Sequence, residues 1–251
     1  MGFWESVYSW RGVKRRCACC GQEVESYLPL SSCFEDMYRK AKMVPWRSEM
    51  LNAAAYSCPH CGAADRERAY ALWMMRNLPM QTSWRMLDIA PAKALGDFVK
   101  RVFPQAEYKT GDLFMEGVDY RLDIMDMKPI EDASLDFFVC SHVLEHVTDD
   151  RQAMRELRRV LKPSGCGILV VPMDLNAQVM DEDLSCTDEM ERWRRFGQND
   201  HVRKYTKQDF LARIRESGLA VQLFDTGYFG HRASWENGLS STATVYVVRR
   251  G

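Results

Sequence analysis

The sequence predicts an α/β protein, a doubly wound, seven-stranded, mostly parallel sheet carrying a small N-terminal zinc-ribbon-like module. Three observations predict it. Between Trp84 and Val147 the apolar runs are short and end in a carboxylate or a small polar residue, with helical patterns between them. A parallel sheet with its ligand at the carboxyl ends of the strands is written this way. The stretch from residue 149 to 249 continues the alternation. Ahead of the sheet stand two Cys-x-x-Cys-Gly knuckles, Cys17-Ala18-Cys19-Cys20-Gly21 and Cys58-Pro59-His60-Cys61-Gly62.

The knuckles come first in the chain. A two-residue gap lets both thiolates face one ion, and the glycine permits the tight turn that aims N–H groups at sulfur. Two such pairs supply four soft ligands in the tetrahedral arrangement of a closed structural zinc site. The set is Cys17, Cys20, Cys58 and Cys61, with Cys19, Cys33 and His60 as spare donors that could replace a member. A redox dithiol is the competing reading, which two knuckles together disfavour. The 37 residues between the knuckles exceed the usual ribbon spacing. Within them FEDMYRKAKM and SEMLNAAAY have helical spacing, broken by Pro29 and Pro45.

A helix opening at Asp65 as N-cap and running to Leu78 joins the module to the sheet. Its Arg66 and Arg68 read as a solvated face or, more sharply, as an anion contact. Strands then follow at 84–89, 107–112, 118–123, 134–141 and 165–172, with helices at 93–102 and 149–161. Asp149 and Asp150 open the second helix, Arg158, Arg159 and Lys162 close it, and Pro163 and Gly165 stop it. A last block gives helix 206–217 and strands 219–225 and 243–249. The chain divides into a zinc module (1–64), a linking helix (65–83) and a sheet domain (84–251) with a lid or acceptor segment at about 175–205.

Composition sets the bounds. The 251 residues are 46% apolar and 27% charged, with a formal net charge of −1. No global field therefore draws the chain to nucleic acid or an anionic membrane. No apolar run approaches the roughly 20 residues of a membrane span, and the first ten residues lack a secretory signal's apolar core. Nine cysteines without an extracellular framework point to reduced thiols and metal ligation in the cytoplasm. Met1-Gly2 with Ser6 matches an N-myristoylation pattern, with Arg11, Lys14, Arg15 and Arg16 as a second signal. The same residues read as a docking helix over 1–16 with Phe3, Val7 and Trp10 on one face.

The order LDIAPAKALG, GDL, LDI, SLDFFVCSHVLEHV and ELRRVLKPSGCGILVVP resembles class I S-adenosylmethionine-dependent methyltransferases of the methyltransferase 11 type, with their Rossmann-like fold, over about residues 84–250. FGQNDHVRKYTKQDF (196–210) resembles a segment of members that carry an N-terminal Cys-x-x-Cys pair. The resemblance implies S-adenosylmethionine as cofactor. It places Ala90, Pro91 and Ala92 in the loop after strand 1, with Ala90, Ala92 and Ala94 where members usually have the glycines of Gly-x-Gly-x-Gly. Alanine resists the positive φ that glycine accepts, so either the loop takes another path or cofactor binding is weakened or lost. Asp88 faces that loop and the methionine amine. Asp112, with Leu113 after it, is placed for the two ribose hydroxyls. Asp123 and Ile124 sit where the adenine N6 acceptor and ring-packing residue belong, with Asp126 as substitute. Ser141 and His142 flank the sulfonium and the substrate.

Methyl transfer is an in-line displacement, so alignment supplies most of the rate and a base is needed only for a hydroxyl or a protonated amine. His142, His201 and Tyr205 are the catalytic candidates, whereas His146, in the LEHV turn, reads as structural. Asp200, His201, Arg203 and Tyr205 line the acceptor pocket, and Asp181, Glu182, Asp183, Asp188, Glu189 and Glu191 form a solvated lid face. The favoured reading is methyl transfer to a small-molecule or sugar acceptor, at oxygen. An RNA methyltransferase is the first alternative, weakly supported by eight Lys/Arg against six Asp/Glu over residues 1–57. The second is a non-catalytic zinc-stabilised binding protein with a decayed loop. Oligomeric state is not legible.

Overall fold

The computed structural model describes residues 14–44 and 46–251. The Gly2 pattern and the face of Phe3, Val7 and Trp10 lie outside them. Arg15–Arg16, expected at the end of a helix, instead form a short antiparallel ladder with Glu23–Val24.

Seven strands make the central sheet: β1 (Arg85–Ile89), β2 (Glu107–Asp112), β3 (Tyr120–Arg121), β4 (Leu135–Ser141), β5 (Leu161–Val170), β6 (Leu219–Asp225) and β7 (Thr244–Arg250). Their spatial order is β6-β7-β5-β4-β1-β2-β3. β7 runs antiparallel to both neighbours, and the other pairings are parallel. The chain builds outward from β1 to β3, then returns to the other side of β1 to lay down β4. The β1–β4 boundary is therefore the topological switch point, where ligands of such sheets bind.

The helices are α1 (Ser32–Lys40), α2 (Asp65–Asn77), α3 (Lys93–Val102), α4 (Asp150–Val160), α5 (Glu189–Phe196), α6 (Lys207–Glu216), α7 (Thr226–Phe229) and α8 (His231–Glu236). α2 is more than a linker. Nine of its 13 residues are buried, and Trp73 stacks on Phe137 of β4 and meets Phe224 of β6 edge-on. Ala64 is its N-cap, and Asp65 is its first helical residue. α4 is capped as expected, Asp149 accepting from the Gln152 N–H. It passes directly into β5 at Leu161, so Pro163 lies inside the strand. A register shift between Leu135 and Phe137 accommodates it, because a proline without an N–H is tolerated at such irregularities. Gly167 on β5 lets the Phe138 ring close over the strand, since a Cβ there would stand 2.3 Å from it.

The insert between the knuckles departs from expectation in its second half. Only Ala53–Ala55 form a helical turn, of the 3₁₀ kind. Residues 47–50 run instead as a strap against the sheet domain. Arg47 N–H donates to Asp174, and buried Glu49 accepts from Tyr246 Oη at 2.8 Å and Lys207 Nζ at 2.8 Å. Upstream, α1 packs on α5 through Phe34 and Tyr38 against Trp193.

Arg68 shows how the knuckle region is seated. Expected to be solvated or anion-binding, it is instead fully buried. Its guanidinium lies 3.8 Å over the Tyr27 ring and donates to the carbonyls of Ala55, Tyr56, Ala63 and Asn237. The Asn237 side chain in turn accepts from Ala18 N–H at 2.8 Å.

Candidate active site

At the end of β1 the backbone turns through Ala90 at φ 54°, donating its N–H to the Gly111 carbonyl at 2.9 Å. Alanine thus holds the left-handed path for which glycine is ordinarily used, against a steric penalty of about 1 kcal/mol. Ala92 is the N-cap of α3 and offers no side-chain cap, and the first turn carries no acid. The start of α3 therefore keeps the positive end of the helix dipole without a side-chain partner.

The carboxylates expected along the strand tips differ in setting. Asp88 is buried and accepts from the Tyr108 hydroxyl at 2.7 Å. Burial raises its pKa to about 7, the Tyr108 hydrogen bond acting against that and nearby Glu67 adding to it. It is enclosed beside Tyr108, not open to the crevice. Asp112 Oδ1 accepts from the N–H groups of Phe114 and Met115, both at 2.7 Å, which fixes the turn carrying half-exposed Leu113. Asp123 Oδ1 accepts from Met125 N–H at 2.8 Å, and Ile124 is buried beside it. Asp126 is taken up by Lys128 at 2.6 Å.

Across the switch point, Ser141 Oγ lies 2.8 Å from Tyr70 Oη of α2. His142 follows at φ 58°. Positive φ in a non-glycine residue at a strand tip is the kind of strain that collects at functional sites. Around the next turn the structure gathers four side chains that the sequence left scattered. Glu145 is wholly buried, and neither of its carboxylate oxygens has a hydrogen-bond partner. His142 Nδ1, His146 Nε2 and His201 Nε2 stand 3.6, 3.8 and 3.9 Å from Glu145 Oε1. The His146 and His201 rings meet edge-on at 4.7 Å. Burial lifts the Glu145 carboxyl to about 7 and pushes His201 down to about 4. Burial and the Arg66 charge hold His142 well below its usual range. For His146, burial is outweighed by Asp200 and Glu145, so its pKa rises.

Tyr205 and Arg203 do not line this crevice. Tyr205 is fully buried, its hydroxyl donating to Asp150 at 2.6 Å. Arg203 is fully buried too, bonded to Glu182 and to the carbonyls of Leu144, Val147 and Thr148. Both fasten the segment that delivers His201, and the aromatic and guanidinium groups are consumed in doing so. The acids of the lid are likewise engaged. Asp181 and Asp183 pair with Arg195, Glu182 with Arg203 and Arg213, and Asp188 caps α5. In the sequence Glu145 and Tyr70 pass unnoticed, and Arg66 reads as a solvated residue or an anion contact. Their one signal was position, since a helix ahead of β1 and the turn after β4 both reach the strand tips.

The knuckles form a second centre. Gly21 and Gly62 adopt matching left-handed turns, φ 75° and 76°. Each donates its N–H to the first cysteine's carbonyl, Gly21 to Cys17 at 2.8 Å and Gly62 to Cys58 at 2.9 Å. The sulfurs of Cys17, Cys20, Cys58 and Cys61 all lie within 4.8 Å of one another. Cys17 to Cys61 and Cys20 to Cys58 are both 3.9 Å. Four sulfurs tetrahedral around zinc, each about 2.3 Å from the ion, stand about 3.8 Å apart. Cys33 is exposed on α1, His60 is turned to the Glu23 carbonyl, and Cys19 is buried beside Cys17. The donor set and spacing fit a closed zinc site.

Comparison with known proteins shows what part of this chain is similar to. Residues 85–169 match the methyltransferase domain model, Methyltransf_11. An uncharacterized 37.1 kDa protein of transposon TN4556 from Streptomyces fradiae is 32% identical over 118 residues, 40% of this chain and 34% of that one. The uncharacterized methyltransferase YcgJ of Bacillus subtilis is 29% identical over 108 residues, 43% of this chain and 40% of that one. The chain thus spans under half the length of either relative. Among solved structures, an S-adenosylmethionine-dependent methyltransferase from Mesorhizobium loti aligns at TM-score 0.48 and 16% identity, covering 73% of this chain and 98% of that one. A putative methyltransferase complexed with the Trm112 activator of Haloferax volcanii aligns at 0.47 and 14%, covering 74% and 90%. No helix among the described residues is long and apolar enough to cross a membrane. From β1 into β5, residues 85–169 thus carry the match to a methyltransferase domain, set in a sheet of the Rossmann-like order.

Proposed function

We propose that the chain transfers a methyl group from S-adenosylmethionine to an oxygen of a small molecule or sugar, and that Cys17, Cys20, Cys58 and Cys61 hold a structural zinc ion. The observation that supports this best is the left-handed turn at Ala90. It leads into the uncapped start of α3 while Asp112 ends β2 and Asp123 follows two residues after β3.

In this reading the first turn of α3 receives the methionyl carboxylate, Asp112 the ribose hydroxyls, and Asp123 the adenine amino group, with Ile124 packing the ring. Ser141 and His142 border the reacting centre, and His201 bounds it from the lid side. The cofactor supplies an activated methyl group on a sulfonium, and the chain supplies alignment and exclusion of water. Residues 1–64 act as the zinc module, 65–83 contribute α2 to the sheet's packing, and 84–251 form the transferase domain with its lid at about 175–205.

Calorimetry with S-adenosylmethionine and S-adenosylhomocysteine tests the reading. Asp112→Ala is expected to weaken both at least tenfold with zinc content and melting temperature unchanged. Absence of binding by the wild-type chain at millimolar ligand would overturn it. Metal analysis is expected to find about one zinc per chain.

A further inference from the structure

We propose that Glu145, His146 and His201 form a second metal site, for a first-row divalent transition ion, at the tip of β4. Glu145 is fully buried, and both of its oxygens lack a hydrogen-bond partner. A carboxylate in that setting is costly unless something positive meets it. One ligand atom from each of the three residues lies within 4.8 Å of the others.

The imidazoles are held as metal ligands are held. His201 Nδ1 lies 3.0 Å from the Phe196 carbonyl, which can only accept, so its proton is on Nδ1 and its Nε2 lone pair faces Glu145. His146 repeats the arrangement, with Nδ1 3.4 Å from Asp200 Oδ2 and Nε2 turned toward Glu145. Outer acceptors that fix the inner nitrogen are the usual second support of a metal-bound histidine. With the His201 Nε2 lone pair facing the carboxylate, the two present electron density to each other, and a cation between them resolves the repulsion. The separations of 3.8 and 3.9 Å are a few tenths of an ångström wider than the roughly 3.4 Å set by tetrahedral ligands about 2.1 Å from an ion. Small side-chain rotations close that gap.

Two imidazoles and one carboxylate suit manganese, iron, cobalt or zinc better than magnesium. His142 Nδ1, 3.6 Å from the same oxygen, is near enough to be a fourth donor. The side chains of His142 and His146 are each about a third exposed, so the remaining positions of the ion open toward the crevice beside Ser141. Resting on the methyl-transfer reading, the ion's role there is to bind an acceptor that offers two oxygens on adjacent carbons and to lower the pKa of the attacking hydroxyl. The hydroxyl proton leaves to water, the oxygen lone pair forms the C–O bond, and the C–S electron pair passes to sulfur, leaving a neutral thioether.

Titration of the full chain with Mn2+, read by loss of the free-ion electron paramagnetic resonance signal, tests the site. Manganese is poorly matched to four thiolates, so the cysteine centre does not compete. About one ion per chain is expected. Glu145→Gln and His201→Gln are expected to weaken uptake about 100-fold, and Asp200→Asn, on an exposed side chain, about tenfold. Asp112→Asn is expected to leave manganese uptake unchanged while weakening the cofactor. No uptake by the wild-type chain at millimolar Mn2+, or unchanged affinity in Asp200→Asn and in a folded Glu145→Gln/His201→Gln double variant, overturns the proposal. Uptake without binding of S-adenosylmethionine supports the ion site and overturns its place in methyl transfer.

Discussion

Ala90 carries a left-handed backbone with a methyl group attached, and the turn it makes is the one on which the cofactor reading stands. Ala90→Gly removes about 1 kcal/mol of steric strain and gives back a share of it as unfolded-chain entropy. A net stabilisation of about 0.5 kcal/mol or less is expected from urea denaturation. Residue chemistry was legible in the sequence where spacing alone defines it. The four knuckle cysteines are such a case, because two tight turns of fixed spacing bring their sulfurs within 4.8 Å of one another. It was not legible where a distant partner decides the role. Arg68 looked like a surface charge until four carbonyls and the Tyr27 ring closed around it. Tyr205 looked catalytic because nothing local showed that Asp150 takes its hydroxyl. Glu145 and His146 passed for turn residues because His201 enters from another segment.

At the scale of elements, the alternation of apolar runs placed β1, β2, β4, β6 and β7 within a residue or so of where they are found. It overextended β3, whose pairing with β2 is only Gly111 to Tyr120 and Asp112 to Arg121. It also made a helix of the strap at 47–50, which tertiary bonds to the sheet domain hold extended. The lid acids were the largest misreading. Asp181–Glu182 pair as a short antiparallel ladder with Arg203–Lys204, and Glu182 lies between Arg203 and Arg213. Burial alone would raise the Glu182 carboxyl, but hydrogen bonds from Arg213 and Arg203 outweigh it and hold the pKa near 2, below the ordinary 4.5. The folded state therefore favours the ionised form. Its stabilisation is fully present above about pH 4.5 and is lost as the pH falls through about 2. Glu182→Gln is expected to destabilise the chain by about 2 kcal/mol at pH 7. Chemical denaturation across pH should show that gap closing toward pH 2.

For the molecule as a whole, the knuckle region and the sheet domain share one buried cluster, beside a smaller one of Ala41, Met43 and Trp193. Cys17, Cys58, Val24 and Tyr27 belong to the same buried cluster as Met74, Phe137 and Val247. Withdrawal of the zinc proposed at the knuckles, or Cys58→Ser, is thus expected to lower the melting temperature of the entire chain by about 10 °C or more. Calorimetry should record a single transition; an early melt of the module alone would show it to be energetically separate. The bond from Ala18 to Asn237 joins residues 219 positions apart, and Arg68 reaches the same asparagine. On a ribosome, which releases a polypeptide from its amino end, the knuckles emerge long before the segment that seats them. They complete their cysteine set once residue 61 is out, then wait for Asn237. Translation order thus puts the docking of the knuckles after the synthesis of Asn237 and makes it a late, long-range event of folding.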